Sequence, residues 1–243
     1  MRMIHFSRRC MKEILRDPVT LFFGIGFPVI LLYLLSAIQS NIPVNLFEID
    51  TLSPGIAVFS QSFITLFSAT LIAKDRESAF LQRLYSTPLT VPDFIFGYTF
   101  PLLLLSAGQS IVCFAAAIPL GASISLYTFY TVVGMIPVSI FNIALGLLCG
   151  SIFNVKQVGA LCGALLTNLS AWLSGIWFDL DLVGGIFKRI AHILPFVHAV
   201  EMEKAIFTGE FCKAAAHLVP VVIYCILFSL LAVFCFLRQM KRQ

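Results

Sequence analysis

The chain has 243 residues, 59% hydrophobic and only 12% charged, with a formal net charge of +4. A soluble domain carries about 25% charged residues, so the composition excludes an ordinary soluble enzyme. No Asp, Glu, Lys or Arg occurs between Asp17 and Glu48, Asp50 and Lys74, Asp93 and Lys156, Lys156 and Asp179, or Lys213 and Arg238.

A hydrocarbon core about 30 Å thick needs roughly 20 apolar residues of helix to cross it. Within lipid every backbone polar group must be satisfied inside the segment, which favours helices. The apolar runs do not alternate as transmembrane strands would. These facts predict an all-α membrane protein: one domain over 1–243, with six transmembrane helices at about 19–39, 52–73, 94–119, 127–153, 157–178 and 214–237.

Taken in order, residues 2–17 place Met3, Ile4, Cys10, Met11, Ile14 and Leu15 on one helical face. Arg8, Arg9, Lys12, Glu13 and Arg16 fall largely on the other. This predicts an amphipathic interfacial helix lying in the membrane surface. Asp17-Pro18 then supplies a cap and a first-turn proline for the first span. Basic residues before an apolar stretch, with Ser36-Ala37 beyond, also read as a signal peptide; the length of the stretch and the topology favour a span. Residues 74–93 form a polar connector, where Leu81, Leu84 and Tyr85 make a short apolar stripe and Pro88 and Pro92 are expected to stop any helix. Two spans must fit between Asp93 and Lys156, with the turn at Gly121–Ser125. In 179–213, apolar residues recur at helical spacing on both sides of Pro195. Two short re-entrant or interfacial outer helices are therefore expected before the last span.

The positive-inside rule orients the chain. Twelve of the 16 basic residues fall before the first span, in 74–93, at Lys156 and after the last span. Both ends of the chain and 74–93 are expected in the cytoplasm, with 179–213 outside.

Soluble chemistry is absent. There is no GxxxxGK[ST] phosphate loop, HExxH or GxSxG. The seven cysteines form no CxxC, and those in apolar runs read as small hydrophobes. No catalytic residue, metal or bound cofactor is expected in this chain. His192 and His198 read as interfacial side chains, and Asp179 and Asp181 as a solvated flank. The spans contain no Asp, Glu, Lys or Arg of the kind that ion-driven transporters use. Their larger polar residues are Gln61, Gln109, Asn142 and Asn168. Gly146/Gly150 and Gly159/Gly163 stand at helix-packing spacing. Energy for any uphill transport is expected from another subunit.

Three motifs carry a resemblance. After the second span come Arg76, Glu77, Leu81, Arg83, Leu84, Thr87, Pro88 and Leu89, followed by Gly97. Leu173-Ser-Gly-Ile-Trp-Phe178 closes the fifth span, and Ile193-Leu-Pro-Phe-Val-His-Ala199 lies in the outer stretch. In this order and placement the chain resembles the permease subunit of ABC-2 type transporters over nearly its whole length. It departs from the family pattern at Ala79-Phe80, Asp179, Leu194 and His198. The resemblance implies an exporter permease in the plasma membrane of a bacterium, paired with a second permease copy or paralogue. ATP and Mg would be bound by a separate ATP-binding subunit. Coupling to that subunit is implied for Arg76, Glu77, Leu81, Arg83, Leu84 and Pro88, with the interfacial helix bearing Arg8, Arg9, Lys12 and Arg16. A path at the permease dimer interface is implied for the first, second and fifth spans. There Phe63, Phe67, Asn168 and Trp172 offer an uncharged lining suited to a hydrophobic or amphipathic cargo such as a drug, antibiotic, peptide or lipid. No nucleic-acid partner is expected. A channel or a structural assembly factor without an ATPase partner is the competing reading.

Overall fold

In the computed structural model the described residues are 2–43, 47–78, 90–178 and 180–240, and all regular structure among them is helical. The surface helix α1 (Arg2–Arg16) leads into α2 (Pro18–Gln39), the first span, which contains a π-helical segment at Phe22–Gly26. Asp17 caps α2, its carboxylate accepting from the Val19 and Thr20 amides, with Pro18 in the first turn as the sequence predicts.

The second span, α3 (Ile49–Glu77), and the third, α4 (Val91–Ala117), stand on either side of the polar connector. Pro92 opens α4 rather than stopping a helix. Thr90 and Asp93 form a reciprocal capping box around it, and a proline costs no hydrogen bond in a first turn. A turn with Gly121 at φ 98° and the Ser125 N-cap starts α5 (Leu126–Ile152).

The fifth predicted span is a helical run over 155–173, here α6, whose middle, Gly159–Leu166, is π-helical. It ends five residues before the predicted limit of 178. Among the described residues five helices are long and apolar enough to cross a membrane: α2, α3, the helix Pro92–Leu120, α5, and Phe211–Arg238 of the last helix. The 155–173 run is not one of them, so the structure supports five spans by length and composition where the sequence predicts six. The stretch expected outside holds α7 (Leu180–Val183), α8 (Gly185–Ile193) and α9 (Pro195–Phe207), one helix more than predicted, and α10 (Phe211–Met240) closes the bundle.

The organising element is α3, buried along most of its length between α5, α4 and α9. Gly146 and Gly150 of α5 explain the closest crossing. A Cβ at either position would lie 2.5 Å from a backbone oxygen of α3, that of Thr65 or Ala69. The Gly146/Gly150 pair thus packs helices within this chain. Gly163 meets only Leu66 at ordinary contact distance, and nothing lies near Gly159. Neutral polar groups stitch the same interfaces. Gln61 accepts from Ser106 at 2.8 Å and donates to Ser110 at 3.2 Å, while Thr65 donates to Asn142 at 2.9 Å. Each such bond contributes about 1 kcal/mol inside a membrane bundle. Gln109 is buried with no partner for its amide among the described residues.

Candidate functional site

The face that the sequence reading assigns to coupling lies where α1 and the ends of α3, α4, α5 and α6 converge. The aromatic part of α1 comes first. Phe6 packs edge-on against Phe94 and Tyr98 of α4, with centroids 5.7 and 4.8 Å apart, over Gly97, where a Cβ would overlap the ring. Cys10 and Ile14 continue this buried face. Ile4 and Leu15, assigned by sequence to the same apolar face, are instead exposed. So α1 divides its apolar surface between the third span and its surroundings.

One turn along, Arg9 reaches Asp75 of α3 in a bidentate pair at 2.6 and 2.5 Å, and Tyr98 donates to the same carboxylate at 2.8 Å. Asp75 is 2% exposed. Burial alone would lower the pKa of Arg9, but the hydrogen bonds and charge of Asp75 raise it above its ordinary value. The pair spans 66 positions, and its partners lie on separate elements, so neither periodicity nor spacing reveals it. The Lys74-Asp75-Arg76 charge cluster was its only local signal. A sequence reading that ends the second span at 73 leaves Asp75 in a loop; α3 continues for one more turn and buries it.

Of the predicted coupling residues, Arg76 and Glu77 are described, and both engage this chain's own backbone. The Arg76 guanidinium donates to the carbonyls of Ser151 and Phe153, the latter at 2.5 Å, at the carboxyl end of α5. Glu77 accepts from the Val155 amide at 2.8 Å, at the amino end of α6. A cation at a helix C-terminus and an anion at an N-terminus both complement the helix dipole. Together they fasten the short α5–α6 turn to the end of α3. Leu81, Arg83, Leu84 and Pro88 lie outside the described residues. On α1, Arg8, Lys12 and Arg16 are exposed, while Arg9 is drawn inward.

The four candidate path residues divide into two pairs. Phe63 and Phe67 are buried beneath α2, Phe63 amid Phe23, Phe27 and Phe59 with centroids 5.6 to 5.8 Å away. Phe67 lies against Gly24 of the π-helical segment. Asn168 and Trp172 sit on the exposed face of α6, where Asn168 donates back to the Ala164 carbonyl at 2.7 Å.

Helices α8, α9 and α10 bring together residues that the sequence keeps apart. His198 Nδ1 lies 2.9 Å from His217 Nδ1 on α10, and His198 Nε2 lies 2.9 Å from the His192 carbonyl. A ring nitrogen facing a carbonyl must carry hydrogen, so neutral His198 accepts at Nδ1 from His217. Tyr224 adds a bond to the Ile193 carbonyl at 2.8 Å. Glu203 of α9 is fully buried against Gly134 of α5, and neither carboxyl oxygen has a partner among the described residues. Burial raises its pKa well above the ordinary carboxylate range. An uncompensated charge there would be costly, so burial favours the protonated carboxyl.

A helical bundle with five helices fit to cross a bilayer, a surface helix and a charged face at one end of the spans defines a multi-pass membrane protein. The chain belongs to the ABC-2 type transporter family, whose match covers residues 3–208. It is 33% identical over 213 residues to a protein of Porphyra purpurea named as a transport permease, ycf38, covering 83% of this chain and 72% of that one. A protein of the same name from Pyropia yezoensis is 38% identical over 86 residues, 33% of this chain and 30% of its own.

Proposed function

We propose that this chain is the membrane-spanning permease of an ATP-driven exporter, powered by a separate ATP-binding subunit docked on the face made by α1 and residues 74–93. The observation that carries the reading is the fastening of α3 to its neighbours beside that segment. Arg9–Asp75, Arg76 and Glu77 tie the end of α3 to α1, α5 and α6. A push on 79–89 would therefore move several spans together, a requirement for coupling a distant motor to a path. Leu81, Arg83, Leu84 and Pro88 are proposed as its contact points.

In this reading the 155–173 run crosses the membrane as the fifth of six segments, both chain ends face the cytoplasm, and the location is the plasma membrane. A second permease covers the exposed face bearing Asn168 and Trp172, because an amide turned toward lipid is disfavoured. The path runs along that seam, with Phe63 and Phe67 one layer beneath, and the uncharged aromatic lining suits a hydrophobic or amphipathic cargo.

Affinity purification from the native host, followed by an ATPase assay, tests the reading. Recovery of a phosphate-loop ATPase whose turnover responds to the permease is expected, weakened by Arg83→Ala at unchanged permease levels. Repeated recovery of the permease with no ATPase would favour a channel or an assembly factor.

A further inference from the structure

The surface helix α1 keeps three cations that the fold does not use. Arg8, Lys12 and Arg16 stand at intervals of four residues and share one face. All three are exposed and have no acidic partner among the described residues. The acids beside them are already engaged. Glu13 pairs with Arg9 at 2.9 Å, and Asp17 caps α2 and lies 3.9 Å from Lys74. Like charges spaced four apart destabilise a helix, so the stripe calls for an anion from outside the chain.

An open groove of about 870 Å3 lies over these residues, with Lys74 and His5 on its walls. The stripe is bordered on α1 by the exposed Ile4 and Leu15, 62% and 55% accessible. Cations beside an apolar strip match a surface that is anionic and apolar within one helix width. A membrane leaflet has that character, whereas an acidic protein surface offers only the first half.

We propose that the groove between α1 and the end of α3 binds the phosphate-bearing headgroup of an anionic phospholipid, held by Arg8, Lys12 and Arg16 while Ile4 and Leu15 enter the adjoining acyl layer. The proposal rests on α1 lying at the cytoplasmic membrane surface, and it is independent of whether an ATPase docks there. A basic residue near an anionic leaflet contributes about fivefold in binding, so loss of all three reduces lipid retention by about a hundredfold.

The test uses the full-length permease in nanodiscs of phosphatidylcholine, with or without phosphatidylglycerol. Native mass spectrometry reads retained lipid, and a melting curve reads stability. Phosphatidylglycerol is expected to remain bound and to raise the melting temperature, with both effects lost in the combined Arg8→Gln, Lys12→Gln, Arg16→Gln variant. The variant with Arg8→Lys and Arg16→Lys keeps the charges and should retain the lipid, which separates lost binding from misfolding. Equal lipid retention in the Gln variant overturns the proposal. Equal stabilisation of phosphatidylcholine discs by inorganic phosphate overturns it in favour of a free-anion site. If the Gln variant loses only a co-purifying ATPase and keeps its lipid, the stripe is a protein-docking surface and the proposal fails. Lipid retention without any recovered ATPase would sustain the site and count only against the exporter reading.

Discussion

Two buried carboxyls of this chain are treated in opposite ways. Asp75 is paired twice by Arg9 and bonded by Tyr98, so the cost of its burial is offset by named partners. Glu203 has none among the described residues; it is carried by α9, which packs it against Gly134 of α5. Its folded pKa lies above the unfolded value, so its stability penalty grows as pH rises through and beyond the ordinary carboxylate range. Glu203→Gln keeps the shape and removes the titration. The variant and wild type should differ least at about pH 4 and below, under the ordinary glutamate value. Wild type should then lose up to about 1.4 kcal/mol per pH unit relative to the variant as pH approaches 8. Melting curves of the detergent-solubilised protein check this, and parallel pH profiles would contradict it. The His198–His217 contact belongs to the same scale: two ring nitrogens 2.9 Å apart share one proton, so a second would break the contact that joins α9 to α10.

At the scale of elements, helix crossings are set by small residues and neutral polar bonds, because lipid supplies no hydrophobic drive between apolar helices. The glycine pairs separate cleanly. A Cβ at Gly150 would press on the Ala69 backbone at 2.5 Å, which a backbone cannot relieve by changing rotamer. Gly150→Ala should destabilise by about 1–3 kcal/mol and lower the yield of folded protein. Gly163→Ala, with only Leu66 at 3.5 Å, should stay within about 0.5 kcal/mol of wild type. Size-exclusion profiles after graded heating distinguish the two, and equal tolerance at both sites would contradict the crossing. The outer elements follow different rules. α8 exposes Ile186, Ile190 and Ile193 and buries Ala191, whereas α9 buries Val200, Met202 and Phe207 in the bundle, so α9 contributes most of this stretch's core.

For the whole molecule, the placement of charge and the seven cysteines give a topology experiment that needs no engineered reporter. Cys212 is exposed on the outer side of the proposed topology, and the other six cysteines are buried or half-buried. Burial, aided by the nearby Asp75 and Glu13 charges and opposed by Arg9, pushes the Cys10 thiol up to about 12, so it stays unreactive near neutral pH. An impermeant maleimide applied to intact cells should label the chain once, and Cys212→Ser should abolish the label. Labelling that requires permeabilisation would reverse the orientation.

Membership of a multi-pass helical family was legible in the sequence because lipid imposes length, apolarity and helical closure on each segment locally. The caps were legible for a related reason: Asp17-Pro18 and the polar turn ending at Ser125 satisfy their own helix ends within a few residues. Arg76 and Glu77 were picked out by resemblance, but the carbonyls and amide they bind lie about 75 positions away. Only the tertiary structure could bring Arg9 to Asp75, His198 to His217, and Glu203 against Gly134. It also decided that α3 runs on past 73 and that α6 stops at 173, since those limits depend on partners supplied by other helices. A bilayer can be read one segment at a time, whereas the buried polar contacts exist only once segments far apart in the chain are packed side by side.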